Sequence, residues 1–270
     1  MTNFQALILG IVQGLTEFLP VSSSGHLVLV PYLLNWQIPE EQVFVFDVLI
    51  QLGTLVAVIV YFWKDLWDIF TAFLTSFWKR EAYSRTEVRL GWYIILATIP
   101  AVVLGLLFKD TVEAAFSNPR MTAVFLAFTA LLLVGAESIG KRNRTMDQLT
   151  WLDSLMIGFF QVLAFFPGVS RSGATIAGGM TRNLDRRGAA RFSFLIAVPA
   201  LLGAGVLATI DLLNIPDLGS FLVPMVIGFV TAGVIGYLSI HWLLRYLTRN
   251  PLYYFAAYLV AVSTLVIVFK

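Results

Sequence analysis

The chain has 270 residues, of which 59% are hydrophobic and 13% charged, and its mean hydropathy is +0.84. Soluble domains carry about 25% charged residues, so a soluble globular class is excluded, and membrane β-barrels alternate too strictly to be this apolar. The net charge of +2 is too small to suggest a nucleic-acid partner, and the absence of cysteine excludes disulfides, thiolate metal sites and cysteine nucleophiles. Helices are the expected membrane-spanning element. No Lys or Arg precedes Lys64, so the basic start of a secretory signal is missing.

In chain order, the first apolar stretch, 4–34, is interrupted by Ser22-Ser23-Ser24-Gly25-His26. Three uninterrupted runs follow, at 43–62, 91–108 and 121–138. The stretch 151–181 is interrupted by Ser170-Arg171-Ser172-Gly173, and runs at 192–210, 220–240 and 252–269 complete the chain. Each uninterrupted run has the roughly twenty residues that a hydrocarbon core requires.

The loop charges decide what the interrupted stretches do. Lys and Arg concentrate in cytoplasmic loops. The 63–90 loop holds Lys64, Lys79, Arg80, Arg85 and Arg89; the 139–150 loop holds Lys141, Arg142 and Arg144; the 182–191 loop holds Arg182, Arg186, Arg187 and Arg191. Arg245 and Arg249 mark 241–250, whereas 31–42 and 211–219 have none and 109–120 carries only Lys109 and Arg120. Two basic loops therefore flank 151–181, and a re-entrant hairpin leaves both inside. Its return limb, 174–181, is about 12 Å long against a core of about 30 Å. If 4–34 is also a hairpin, it enters from outside. Each half is then one hairpin plus three spans. An odd count inverts the second half relative to the first. The expected fold is an all-α polytopic membrane protein forming a single domain over 1–270. Its first repeat covers 1–140, with hairpin 4–34, and its inverted second repeat covers 151–270, with hairpin 151–181.

The duplication is visible residue by residue. At an offset of 148, Gly10, Gln13, Leu15, Phe18, Val21, Ser22, Ser24 and Gly25 match Gly158, Gln161, Leu163, Phe166, Val169, Ser170, Ser172 and Gly173. Shared apolar bias does not align a Gln and a Ser-x-Ser-Gly pattern. In inverted repeats the binding site lies near the midplane, where broken helices meet. Two Ser/Gly tips there would offer free N–H groups and hydroxyls to an anion.

The mismatched positions carry the chemistry. Glu17 aligns with Phe165, Ser23 with Arg171 and His26 with Ala174. Together they supply a nucleophile, an acid/base and an anion clamp. Arg171 is the one basic residue inside a hydrophobic stretch, which calls for a function or a partner. Glu17 or Asp47 could be that partner in a purely structural pair. A guanidinium also matches phosphate in bidentate fashion. Glu17 shares a helical face with Gln13. It could orient His26, carry a proton, hold a divalent cation or only pair with Arg171. Ser22, Ser24, Ser170, Ser172 and Thr175 either bind substrate or satisfy backbone. Asp47 and Gln51 either complete a polar pocket or pair with the arginine. His241, beside Trp242, reads as interfacial.

Gln13-Gly-Leu-Thr-Glu17-Phe-Leu-Pro-Val-Ser-Ser-Ser-Gly-His26 and Pro167-Gly-Val-Ser-Arg-Ser-Gly-Ala-Thr175 closely resemble the two signatures of the bacterial undecaprenyl-diphosphate phosphatase family, also called the bacitracin-resistance protein family. The resemblance extends through Phe46-Asp-Val-Leu-Ile-Gln-Leu-Gly53 and most of the chain. It implies a bacterial plasma-membrane hydrolase acting at the outer leaflet. Such an enzyme removes the terminal phosphate of a C55 polyprenyl diphosphate, recycling the lipid carrier of cell-wall synthesis and conferring bacitracin resistance. It also implies dependence on a divalent cation (Mg or Ca), with Glu17 either an orienting group or a metal ligand. Homo-oligomers are compatible with it. The expected catalytic set is Glu17, Ser23, His26 and Arg171. The expected substrate-binding set is Gln13, Ser22, Ser24, Gly25, Ser170, Ser172, Gly173 and Thr175. Gln13, where the signature accepts Glu or Gln, removes a strictly two-carboxylate mechanism. The nucleophile stays open among Ser23 activated by His26, His26 itself and an activated water, with the covalent options preferred. The rival class is a transporter or flippase for an anionic polyprenyl phosphate, to which two broken hairpins are also suited.

Overall fold

The structure, a computed structural model, describes residues 1–38, 40–78, 85–107, 119–212 and 218–269. Lys79, Arg80, Lys109 and most of the 211–219 loop lie outside them. All named elements among the described residues are helical. Helix α1 spans Asn3–Thr16 and α2 spans Ser23–Leu33; then come α3 (Glu40–Tyr61), α4 (Trp63–Ser76), α5 (Thr86–Leu107) and α6 (Pro119–Ile139). The second half contains α7 (Trp151–Val162), α8 (Arg171–Thr181), α9 (Arg186–Leu212), α10 (Leu218–Tyr246) and α11 (Tyr253–Phe269). On length and composition, α5 over Thr86–Gly105, α6, and α10 over Leu222–Tyr246 can each cross a membrane. The protein is an all-helical, multi-pass membrane protein.

The duplication extends to the helix ends. Helices α1 and α7 start 148 positions apart, as do α2 and α8. Thr2 caps α1 in a capping box with Gln5, and Thr150 caps α7 in a capping box with Asp153. Each cap satisfies first-turn N–H groups that the helix itself cannot. Ser22 and Ser170 cap α2 and α8, accepting from the N–H of Gly25 at 3.2 Å and of Gly173 at 3.0 Å. The return limb α8 begins at the tip itself, three residues earlier than the sequence suggested, because Ser170 supplies the cap.

Matched glycines set the packing. Helix α1 lies along α10, and α7 lies along α5. A Cβ on Gly10 would come within 2.8 Å of the Gly228 carbonyl, and one on Gly158 within 2.5 Å of the Ala97 carbonyl. Without side chains at these positions the backbones approach directly, as membrane helices require where no hydrophobic force drives them together. Helices α6 and α11 pack on each other.

One expectation changes. The stretch 63–90, read as a loop, contains α4, bent 78° from α3. Ile69, Ala72 and Ser76 are buried, while Trp63, Trp67, Phe70 and Leu74 are exposed. Two Asp and one Lys among its aromatics obscured an amphipathic helix whose apolar face is completed by α5.

The flanks of the second interrupted stretch touch each other. The Arg144 N–H donates to the Asn183 carbonyl at 3.0 Å, and the Asp185 N–H to the Arg144 carbonyl at 2.8 Å. Buried Asp153 accepts from Arg144 and Arg182 at 2.7 Å each, and buried Glu137 accepts from Arg186, Arg142 and the Leu252 N–H. At the first interrupted stretch, the rings of Phe4 and Trp36 meet edge to face.

Candidate active site

Glu17 follows α1 directly, its N–H still donating to the Gln13 carbonyl. Its carboxylate joins the two tips. Oε1 accepts from Arg171 Nη2 at 2.7 Å; Oε2 accepts from Ser23 Oγ at 2.6 Å and from Gln13 Nε2 at 2.9 Å. Ser23 and Arg171 hold equivalent positions, the first residue of α2 and of α8. Each takes one oxygen of the same carboxylate. The exchange of Ser for Arg between the copies thus places a hydroxyl and a guanidinium on either side of one buried acid. Glu17 is only 6% exposed. Its pairing offsets a desolvation penalty of several kcal/mol per buried ion.

Further bonds lock the tips. Ser172 Oγ donates to the Leu19 carbonyl at 2.9 Å, reaching from the second tip to the first. Thr129 of α6 donates to the Gly168 carbonyl and accepts from the Ser170 N–H. Gly168 takes φ +103°, which glycine alone adopts freely, and any side chain there would meet the Thr122 carbonyl. Oγ of Ser22 lies 3.3 Å from that of Ser24, and Oγ of Ser170 lies 3.1 Å from that of Ser172. Thr175 bonds Ser193 at 2.6 Å and the Arg171 carbonyl at 2.8 Å. A Cβ on Gly25 would come within 3.2 Å of Gly168, and one on Gly173 within 3.1 Å of Thr129, so both glycines serve close packing at the tips.

Among the described residues, four buried side-chain polar atoms have no hydrogen-bond partner: Nε2 and Oε1 of Gln161, and two beside Glu17. The latter two are Arg171 Nη1 and Gln13 Oε1. One is a donor and one an acceptor, both from side chains that already hold Glu17. A buried polar atom without a partner costs about 1–3 kcal/mol. Nη1 is therefore a donor whose hydrogen-bonding capacity is unused.

His26 stands apart from this group. Its Nδ1 lies 2.7 Å from the Ser22 carbonyl and its Nε2 lies 2.7 Å from the Tyr258 hydroxyl. Both ring nitrogens are engaged away from Ser23 and Glu17, so Glu17 does not orient the imidazole and His26 does not hydrogen-bond Ser23. Ser22 itself has φ 71°, a conformation that costs a non-glycine residue about 1–3 kcal/mol. Arg171 pairs with Glu17 and not with Asp47 or Gln51. The exposed His241 lies 3.5 Å from the Tyr61 hydroxyl.

Tyr258, Thr54, Thr129 and Ser193 complete the network without having been singled out in the sequence. Thr54 lies 3.4 Å from Gln13 Nε2. The last three are polar residues within apolar runs, which is a usable signal, but nothing local names their partners. Among the described residues no three His, Asp or Glu side chains cluster to hold a metal. Among the described residues Glu17 is the single carboxylate bonded at the tips, a donor set that fits a cation held mainly by the oxygens of a bound phosphate, as Mg²⁺ commonly is.

The family model described as bacitracin resistance protein BacA matches residues 6–265. An undecaprenyl-diphosphatase of Geotalea daltonii is 43% identical, covering 100% of this chain and 98% of the relative. Proteins of the same name from a Nocardioides species and from Chlorobaculum tepidum are 41% and 42% identical, over 99% and 96% of this chain and 97% and 93% of their own lengths. Match and motif cover both tips and the helices that carry them, and the chain belongs to the bacitracin resistance protein BacA family.

Proposed function

We propose that this protein is an undecaprenyl-diphosphatase of the bacterial plasma membrane. It hydrolyses a polyprenyl diphosphate to the monophosphate and inorganic phosphate, recycling the carrier lipid and thereby conferring bacitracin resistance. The observation that carries the reading is the Glu17 carboxylate, which accepts from a serine hydroxyl on one oxygen and from an arginine with an unused donor on the other. Transport of an anion would use the arginine but has no need of a hydroxyl paired with a base.

In the mechanism, Arg171 Nη1 binds the terminal phosphoryl group. The first-turn N–H groups of α2 and α8 add partial positive charge from either side. Ser23 Oγ attacks the terminal phosphorus as its proton passes to Glu17 Oε2. The Oγ–P bond forms and the bridging P–O bond breaks. The polyprenyl phosphate leaves with the bridging oxygen and takes the proton from Glu17. Water then attacks the phosphoserine, Glu17 accepts its proton and returns one to Ser23 as phosphate departs. Arg171 stabilises the equatorial oxygens in both steps. A Mg²⁺ or Ca²⁺ ion held by the substrate phosphates and Glu17 would neutralise charge on the phosphoryl oxygens.

The purified protein in detergent, given a C15 or C55 polyprenyl diphosphate with Mg²⁺ or Ca²⁺, is expected to release phosphate and polyprenyl monophosphate in equal amounts. No release across pH and metal screens would overturn the reading.

The same proposal places 4–34 and 151–181 as re-entrant hairpins in two inverted repeats, with the tips reached from the outer leaflet. Its support is the loop charge, the matched caps and the hydrogen bonds between the flanks of 151–181. Single cysteines at Thr145 and Arg187 are expected to label only from the cytoplasm, and one at Gln37 only from outside. Labelling of 145 and 187 from opposite faces would make 151–181 a full span.

A further inference from the structure

The two tips share a Ser-x-Ser-Gly pattern and serine caps but differ in one backbone angle. Ser22 has φ 71° and ψ 101°, whereas its counterpart Ser170 has φ −71° and ψ 120°. Four residues after each cap the copies also differ, with His26 in the first and Ala174 in the second. The Ser22 carbonyl receives two bonds from His26, from the backbone N–H at 3.2 Å and from Nδ1 at 2.7 Å. In the second tip, the Ser170 carbonyl receives the backbone bond from Ala174, which has no side-chain donor.

The tautomer follows from the partners. A carbonyl oxygen only accepts, so Nδ1 carries the hydrogen, and Nε2 of the neutral ring is an acceptor. The group opposite Nε2 is the Tyr258 hydroxyl at 2.7 Å, which therefore donates. The two rings lie nearly parallel, 8° apart, with centroids at 5.6 Å. Tyr258 is on α11, 232 positions from His26 in the chain, and is 45% exposed. It touches neither Glu17 nor Arg171 through a hydrogen bond.

We infer that Tyr258 is a positioning residue: by donating to His26 Nε2 it fixes the Nδ1–H tautomer, which holds the Ser22 carbonyl in its left-handed turn and aims the next residue, Ser23, at Glu17. The inference rests on the reading of Ser23 as nucleophile. The strained serine is in the copy that carries the imidazole and the reactive hydroxyl; the copy with Ala174 and Arg171 has an ordinary turn. A guanidinium on a long stem reaches Glu17 without help from its cap residue. A hydroxyl on one carbon does not, because its position is dictated by the backbone that bears it. Tyr258 thus couples the last helix of the chain to the geometry of the first tip.

Two measurements test this. The first is spectroscopic and independent of activity. The chain has two histidines, so ¹⁵N-histidine NMR on the His241→Asn protein reads His26 alone. Nδ1–H is expected as the single tautomer, and Tyr258→Phe is expected to give a mixture of tautomers. The second is kinetic. Tyr258→Phe is expected to lower kcat about tenfold, the effect of one hydrogen bond, with KM within about twofold. In a His26→Ala background the same substitution is expected to change nothing further, since its route to Ser23 is already cut. An unchanged tautomer and unchanged kcat in Tyr258→Phe would overturn the inference. So would a full additional loss in the His26→Ala background, which would give Tyr258 a separate action on substrate. If the protein released no phosphate, the proposed function would fail while the tautomer measurement still decided the geometry.

Discussion

Replacing Arg171 by lysine is expected to lower kcat/KM about 100-fold or more, although charge and approximate length are kept. The guanidinium has two tasks that its shape separates. Nη2 holds Glu17 Oε1 at 2.7 Å, and Nη1 is buried without a partner. A lysine ammonium is one compact point charge and lacks the planar fork that presents a second donor in a set direction. Kept on Glu17, it leaves the phosphoryl group without its clamp; drawn to the phosphate, it leaves the carboxylate buried and unpaired. Phosphate release from a polyprenyl diphosphate, measured on protein that elutes as a single species, checks this. Turnover within about threefold of the unaltered protein would make Arg171 a structural partner of Glu17 and nothing more. Arg171→Ala is expected to reduce stability as well, by about 3–5 kcal/mol, because it leaves the buried Glu17 carboxylate without its counter-charge.

Ser23→Ala is expected to reduce turnover about 10⁴-fold, the scale seen when an enzyme loses its nucleophile. The decisive measurement is the intermediate. With a substrate labelled in the terminal phosphate and a rapid quench, the unaltered protein is expected to yield a phosphoenzyme that survives acid and is lost in alkali, as a phosphate ester of serine is. An acid-labile, alkali-stable adduct would transfer the role to His26. Glu17→Gln keeps the shape and removes the base. It is expected to leave Ser23 unphosphorylated, because a neutral amide accepts no proton from the hydroxyl. Ser23→Ala with near-normal turnover would remove serine from the chemistry and leave an activated water, with Glu17 still the base. The predicted effects of Ser23 and Glu17 substitutions are not additive, since the two act as one unit through a 2.6 Å bond.

The tip chemistry divides into what the residues carried on their face and what they did not. Glu17, Ser23 and Arg171 stood out because the two copies differ there, and a buried arginine in an apolar stretch demands a partner. His26 stood out for the same reason, but its expected neighbours were wrong. A histidine three positions after a serine invites a nucleophile–base pair. Instead the helical turn points the ring back to the Ser22 carbonyl and sideways to Tyr258. No local feature distinguishes Tyr258 from the other aromatic residues of the last helix. Helix α4 was hidden because Lys64, Asp65 and Asp68 interrupt its apolar residues, so that the segment reads as a charged loop.

From its residues alone, the chain determines a helical membrane protein, the placement of its long apolar helices and a duplication at offset 148. These are local properties. A hydrocarbon core selects runs of apolar residues, and a serine or threonine ahead of a helix caps it whatever lies beyond. The tertiary structure decides which oxygen of Glu17 meets Ser23 and which meets Arg171, 154 positions away, and that His26 belongs to Tyr258, 232 positions away. Those pairings depend on how closely α1 approaches α10 and α7 approaches α5, which is set by packing over the whole bundle.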